Sequence, residues 1–414
     1  MTKEVRDQDK VEQPRGRLAL VNGRIILPQE IVTGQAVIIE AGKIVGLGPL
    51  DSLGVDMDRL DVGGRAIAPG LIDLHTHGAL GHTFNEATPA AFAAITELQA
   101  SRGVTSLLAT TMTDSIPNLV RCLEFSRQWL SESHGGAQVL GMHVEGPYFC
   151  QAQRGAQDPA HIRNPDDGTP AVLLEYADVI TIMSYAPELP GALALTAELV
   201  NLGIVPAAGH SNAQDQDVLA AMKLGLCHII HIWSAQSSTV REGPWRKPGL
   251  LEASLTFDGL TVEMITDNKH LPPTLMKLAY KCLGPDRLCA ISDATSGAGL
   301  PEGSRFRMGE LEYEVCDGVG MMLDRTAFAG STTLLNQMVP ILTEVVGIPL
   351  AEAVRMVSLT PARVIGCADR KGSLAAGKDA DLAIFEPDFS AWRTMIGGQW
   401  VFDNNSKSPW SDSN

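Results

Sequence analysis

Two histidines one residue apart mark where this chain can do chemistry. His75 and His77 stand at i and i+2 in LIDLHTH. On a β-strand both imidazoles therefore leave the same face, as two ligands of one cation must. His143 and Glu145 in GMHVEGP share a face by the same rule. Glu145 lies nearer the end of its run and is the better ligand, with His143 behind it as a ligand's support. His210 ends another apolar run. His228 and His231, in HIIH, are separated by an odd number, which turns them to opposite sides. His231, at the run's end, is the expected ligand, and His228 is expected to pack between strand and helix. Thr110 and Thr111, Glu188, Asp267 with His270, and Asp293 stand at further run ends. Buried ionisable groups converging on one mouth are costly unless they pair or bind metal, so the set reads as metal-assisted hydrolysis. A carboxylate such as Asp293 beside a metal-held water can take its proton and pass it to a leaving group; the plainer alternative is a helix cap. His82, His134 and His161 fall in loops or helices and read as surface residues. The rival chemistries lack their residues: there is no GxSxG, no Walker A sequence and no cysteine beside a strand-end histidine.

These side chains need a scaffold that brings run ends together. Eight apolar runs of strand length, at 71–75, 105–110, 139–145, 179–185, 204–210, 226–231, 260–266 and 288–293, alternate with helical patterns such as TLMKLAYKCLG. Near-continuous apolar strands between helices form a parallel sheet covered on both faces, and eight of them predict an α/β protein with a (β/α)8 barrel. An open doubly wound sheet is the alternative, weakened because no GxGxxG follows a strand. Short glycine-punctuated strands precede the barrel and return after Lys371, which predicts a small β-sandwich built from both chain ends. The expected domains are 18–68 and 368–404 for the sandwich and 69–367 for the barrel. Residues 1–16 and 405–414 have the composition of frayed tails.

Composition narrows the partners. Lys+Arg of 32 against Asp+Glu of 48 gives a formal charge of −16, a field that repels nucleic acid and anionic lipid. A local cluster, Arg241, Arg246 and Lys247, can still meet a phosphate. Seven scattered cysteines never fall as CxxC, which fits reduced thiols in a cytoplasmic protein. No apolar run is long enough to span a membrane, and the N-terminus has no signal-peptide core.

PGLIDLHTHG (69–78) and GSLAAGKDADLAIF (372–385) resemble the opening motif and the C-terminal strand signature of the amidohydrolase superfamily. GMHVEGPYF, RGAQDP, GHSNA, HIIHIW and SDATSGAGLPEG resemble, in order and over roughly residues 18–402, its deacetylases of amino-sugar phosphates. Many superfamily members bridge their metals with a carboxylated lysine on the fourth strand. The fourth run here, DVITIMSYAP, has no lysine, and Glu145 takes that place as in the deacetylases. The resemblance implies metal ligation by Glu145, His210 and His231, and a second metal at His75 and His77 bridged by Glu145. It makes Asp293 the catalytic acid/base and has His270 touch substrate and help polarise the amide carbonyl. It sets Ala156, Arg246 and the Phe328–Ala329–Gly330 turn at substrate-binding positions. Ser234-Ala235 stands where the family has Asn-Ala, and the following loop, QSSTVREGPWRKPG, is longer than usual. The implied cofactor is one or two divalent cations, zinc first, with iron, manganese or cobalt as alternatives. The implied assembly is a homodimer. The implied reaction converts N-acetylglucosamine 6-phosphate into glucosamine 6-phosphate and acetate. A galactosamine phosphate or an unphosphorylated N-acetyl sugar is the nearest alternative substrate. A non-catalytic scaffold is the alternative of another class, and the retention of every ligand and of Asp293 speaks against it.

Overall fold

Strands covered by helices on one side and by other strands' side chains on the other carry apolar groups on both faces, and the central segments are of this kind. The computed structural model describes residues 13–14, 16–54 and 57–405; most of both predicted frayed tails lies outside the described residues. Gln13, inside the first of those tails, is tied down. Its amide donates to the Trp400 carbonyl (2.9 Å) and accepts from the Trp400 N–H (2.9 Å).

Eight parallel strands form one sheet in chain order: β1 (Leu71–Thr76), β2 (Val104–Thr111), β3 (Gln138–Glu145), β4 (Ile180–Tyr185), β5 (Val205–Ala208), β6 (His228–Ile229), β7 (Thr261–Ile265) and β8 (Leu288–Ile291). Every residue of β1 and β2 is buried. The sheet curls until its last strand meets its first: the Asp293 N–H donates to the His75 carbonyl at 2.9 Å, and Thr76 bridges Ala294 in parallel. The (β/α)8 barrel is thus present, its mouth at the strands' C-terminal ends. Helices return the chain between strands, started by local signals. Thr88 accepts from the Ala91 N–H (3.3 Å) ahead of Pro89, and Ser115 accepts from the Asn118 N–H (3.3 Å) ahead of Pro117.

The chain ends pair with each other. A six-stranded sheet runs in the order Gln399–Asp403, Ala391–Ile396, Leu382–Phe385, Ala66–Pro69, Arg24–Ile26, Ile31–Val32. A four-stranded sheet runs Lys43–Pro49, Gln35–Glu40, Leu18–Val21, Asp58–Asp61. Leu20, Ile25, Val37, Ile67, Leu382 and Trp400 belong to the core they share, which makes the predicted sandwich. It is pinned to the barrel by polar contacts. Buried Lys371 bonds both Asp381 of the sandwich and Gln138 Oε1 (2.6 Å) at the start of β3.

One element was not foreseen. After β8, Arg305–Met308, Leu311–Cys316, Val319–Met322 and Phe328–Ser331 form an antiparallel sheet. Its core of Phe306, Met308, Tyr313, Val315 and Ala329 packs on Met112, just past β2. The expected Phe328–Ala329–Gly330 turn is therefore a strand, seated against the barrel mouth. The loop read after the sixth run also has structure: Val240–Glu242 and Trp245–Lys247 pair as an exposed hairpin. No helix among the described residues is long and apolar enough to cross a membrane.

Candidate metal centre and active site

The centre is one carboxylate ringed by imidazoles. Glu145 is the last residue of β3 and is buried. Its Oε1 lies 3.0 Å from His231 Nε2, 3.2 Å from His210 Nε2 and 3.5 Å from His75 Nε2. Its Oε2 lies 3.5 Å from His77 Nε2 and accepts from Gln157 Nε2 at 2.5 Å. Asp293 Oδ1 faces the same pair from the other side, 3.2 Å from His77 Nε2 and 3.7 Å from His75 Nε2. Ligand atoms of His75, Glu145 and His231 lie close enough to share one ion, as do those of His75, His77 and Asp293, and His210 touches the first group through Glu145.

Three of the imidazoles are held by their other nitrogens, while His231 Nδ1 is buried without a hydrogen-bond partner among the described residues. His75 Nδ1 bonds Glu263 (2.8 Å), His77 Nδ1 the Thr110 carbonyl (3.3 Å) and His210 Nδ1 the Gln153 carbonyl (2.9 Å). Carbonyl and carboxylate oxygens only accept, so a neutral imidazole with its proton on Nδ1 satisfies these partners and turns the Nε2 lone pair to the centre, the form that binds a cation. Lone pairs and a carboxylate turned toward one another at 3.0–3.5 Å repel unless positive charge lies among them. His75 Nε2 is fully buried without a hydrogen-bond partner among the described residues. No lysine or arginine lines this cavity. Nitrogen and oxygen donors of this kind suit a divalent transition metal, so the residues fit the cofactor the sequence implied.

The electrostatics agree. Burial would push Glu145 up and His75 down. With no cation bound, hydrogen bonding with His210 and His231 instead holds Glu145 well below the usual carboxylate range, and the charges of Glu263 and Glu145 lift His75 well above the usual imidazole value, so a proton on His75 stands in for the positive charge the centre calls for. The two buried carboxylates thus draw a cation in. His143 sits behind: its ring meets His75 edge-on at 4.5 Å, and it bonds the Leu74 carbonyl (3.1 Å) and Ser184 Oγ (2.6 Å). Burial, then the charge of His75, lowers its pKa to about 3, so it stays neutral.

The centre opens into a cavity of about 260 Å³. Ala156, Ser234 and Ala235 line one side, and His270 with Phe328, Ala329 and Gly330 the other. His270 Nδ1 bonds Asp267 Oδ2 at 2.7 Å and its ring meets Phe328 edge-on at 5.0 Å, which leaves Nε2 toward the cavity. Gly330 has φ 63°, and a Cβ there would come within 2.5 Å of the Asp293 carbonyl oxygen, so only glycine lets that strand lie against Asp293.

Three sequence expectations need correction or relocation. His228 does not pack between strand and helix; its Nε2 lies 3.1 Å from Glu263 Oε1 inside the barrel. Strand β6 ends at Ile229 and His231 takes φ 24°, so alternation lapses and both histidines of HIIH turn inward. Glu188 does not line the cavity; it accepts from Ser211 Oγ and the Asn212 N–H (both 2.6 Å) and braces the loop after His210. Arg246 lies outside the cavity wall, exposed on the hairpin, its Nη1 donating to the Pro244 carbonyl at 3.2 Å. Sequence reasoning missed Asp73, Gln157 and Glu263. For Glu263 the signal was a lone carboxylate inside the apolar run TVEMI.

Comparison with known proteins bears on this site. Residues 66–401 match the amidohydrolase family. The chain is 32% identical over 386 residues to the N-acetylglucosamine-6-phosphate deacetylase of Haemophilus influenzae, covering 93% of this chain and 99% of that one. It is 32% identical over 365 residues to an N-acetylgalactosamine-6-phosphate deacetylase of Escherichia coli O157:H7, covering 87% and 93%. Among solved structures, it resembles the N-acetylglucosamine-6-phosphate deacetylase of Pasteurella multocida (TM-score 0.87, 29% identity, 93% and 99% covered). It also resembles an aspartate-to-alanine variant of the Mycobacterium smegmatis deacetylase in complex with N-acetyl-D-glucosamine-6-phosphate (TM-score 0.85, 29% identity, 94% and 99% covered).

Proposed function

Because the chain belongs to the amidohydrolase family, we infer that it is a metal-dependent amide hydrolase acting on N-acetylglucosamine 6-phosphate, giving glucosamine 6-phosphate and acetate. The observation that carries this reading is the ring of four imidazole Nε2 atoms within 3.0–3.5 Å of one buried carboxylate, beside a second carboxylate at the cavity.

In this reading Glu145, His210 and His231 hold one divalent cation, zinc first among the candidates, and His75 and His77 hold a second that shares Glu145. Bound there, such a cation brings the pKa of a water toward neutrality and polarises an amide carbonyl. Asp293 accepts a proton from the attacking water and returns it to the amine nitrogen as the C–N bond breaks, sparing the departure of an amide anion. Its pKa suits the first half of that task. Burial would raise it, but the hydrogen bond from His77 and the charge of His75 lower it, so the resting carboxylate is ionised. His270, oriented by Asp267, touches the sugar from Nε2. Ala156, Ser234, Ala235 and the Phe328–Gly330 strand shape the sugar's seat.

The phosphate needs a cation that the cavity wall lacks. We assign that role to Arg246, whose guanidinium can grip two phosphate oxygens at once. The hairpin that carries it also exposes Val240 and, at 73%, Trp245, a side chain expected at a contact between copies in a homodimer. We take the enzyme to work in the reducing cytoplasm, where its seven unpaired cysteines stay reduced. The galactosamine epimer is the second reading, favoured by the 32% identical relative named for it.

Acetate release from the two 6-phosphates and from unphosphorylated N-acetylglucosamine, by wild type and Arg246→Ala, tests this. The expected result is preference for N-acetylglucosamine 6-phosphate, with kcat/KM for that substrate falling at least ~10-fold in the variant and little change without phosphate. Preference for the galactosamine phosphate would select the second reading. Equal losses on phosphorylated and plain sugar would remove Arg246 from phosphate binding.

A further inference from the structure

Behind His75, on the side away from the cavity, lies a buried chain that the reaction as described does not use. Glu263 projects from the middle of β7 into the barrel and is fully buried. Its Oε2 accepts from His75 Nδ1 at 2.8 Å, and its Oε1 lies 3.1 Å from His228 Nε2. His228 Nδ1 in turn meets Thr261 Oγ1 at 2.7 Å. His75, His143 and Glu263 lie close enough to hold an ion of their own, but both nitrogens of His143 are already engaged, by the Leu74 carbonyl and Ser184. The cluster is a support and not a third metal site.

We propose that Glu263 is a positioning residue for the second cation: it fixes the proton of His75 on Nδ1, aims Nε2 at the centre, and supplies a buried negative charge that offsets the cation's. The inference rests on the reading of His75 and His77 as metal ligands. A carboxylate suits that place, because its two oxygens can take an N–H from His75 and, with a proton on His228 Nε2, a second one from His228. Were the proton on Nε2, His75 would offer the centre no lone pair. The other three imidazoles are not held by a second carboxylate, so the effect falls on one half-site. A partner behind a metal-binding histidine commonly governs 10- to 100-fold in affinity.

The test measures zinc affinity of each half-site by chelator competition with elemental analysis, on the full-length protein. Glu263→Gln keeps an acceptor for His75 but removes the charge; Glu263→Leu removes both. The second zinc equivalent should weaken ~10-fold in the first variant and ~100-fold in the second, while the first equivalent stays within about twofold. In a His75→Gln background, adding Glu263→Gln should cost nothing further, because Glu263 acts through His75. Unchanged second-site affinity in both single variants, or additive losses in the double variant, would overturn the proposal while leaving the metal site intact. If His75→Gln alone loses no zinc, the site reading itself fails and this inference with it. Should the variants not fold, 15N imidazole spectra of the zinc-loaded wild type still decide: His75 protonated on Nδ1 supports the proposal, and protonation on Nε2 overturns it.

Discussion

In the proposed reaction Asp293 takes a proton and later releases it, and its backbone limits what can replace it. At φ 48° it lies in the left-handed region, where asparagine and aspartate are tolerated better than other side chains. Asp293→Asn is therefore the clean test. It preserves backbone and size while removing proton transfer and one charge beside His75 and His77, so acetate release should fall at least ~100-fold, about 2.7 kcal/mol of barrier, with the zinc at Glu145, His210 and His231 retained. Turnover near the wild-type rate, measured beside elemental analysis, would reduce Asp293 to a structural cap. The same scale shows what could be read from sequence. His75 and His77 were legible because β1 is a regular strand and period two holds through both. His228 was misread because period two was carried past Ile229, where the strand stops. Glu263 stands out as a lone carboxylate in TVEMI, but its role does not, because its partners, His75 and His228, stand 188 and 35 residues away and only the closed barrel brings them together.

At the scale of elements, three proposed functional residues stand just beyond strand ends in the same unusual conformation: His210 (φ 45°), His231 (φ 24°) and Asp293 (φ 48°). Non-glycine residues avoid this region at a cost of roughly 1–3 kcal/mol each, so the surrounding loops must enforce it. The Ser211 N–H to Ala235 carbonyl bond (3.1 Å) ties two of those loops together, and the Ser331 N–H to Asp293 carbonyl bond (2.9 Å) anchors the third. Eight strands were legible because their buried runs are almost wholly apolar, with Asp73 and Glu263 the charged residues inside them short of the mouth. The sheet over 305–331 was not, although RFRM and LEYEVC alternate with period two, because it falls outside the barrel's rhythm. The sandwich has an acid-sensitive seam. Asp379 bonds Lys43 Nζ (2.5 Å) and Arg370 Nη2 (2.9 Å), joining segments far apart in the chain. Burial would raise its pKa, but these two cations hold it below the usual carboxylate value. Its contribution is therefore complete above the unfolded pKa near 4 and disappears as pH falls through the lower folded value. Asp379→Asn should cost about 1 kcal/mol at pH 7, given how exposed both cations are. Denaturant curves of the two proteins should converge below about pH 3; a pH-independent gap would mean that shape, and not charge, explains the loss.

For the whole molecule, the centre couples metal to stability. Buried Glu145 and Asp293 face the imidazole ring, with Glu263 behind it, within a protein of net charge −16, so the folded state gathers a cation site that the unfolded chain cannot. Ligand at 100 times its Kd adds about 2.7 kcal/mol to stability. Stripping with a chelator should therefore lower Tm by several degrees, and added zinc should restore it. An unchanged Tm after verified removal would mean that the imidazole ring stands without a cation. The sandwich carries a consequence of another kind, in time. Pro69 pairs with Leu382, so a strand near the start of the chain waits for a partner made more than 300 residues later. At about 5–20 residues per second, that is roughly 15 to 60 s of synthesis. Throughout it, Ala66–Pro69, buried at every position in the finished protein, keeps a bare hydrogen-bonding edge beside a barrel still being assembled. The ribosome thus releases the complete set of proposed metal ligands well before it releases the strand that pairs with Ala66–Pro69. In a cell, the vulnerable form of this protein is the nascent chain with its catalytic half finished.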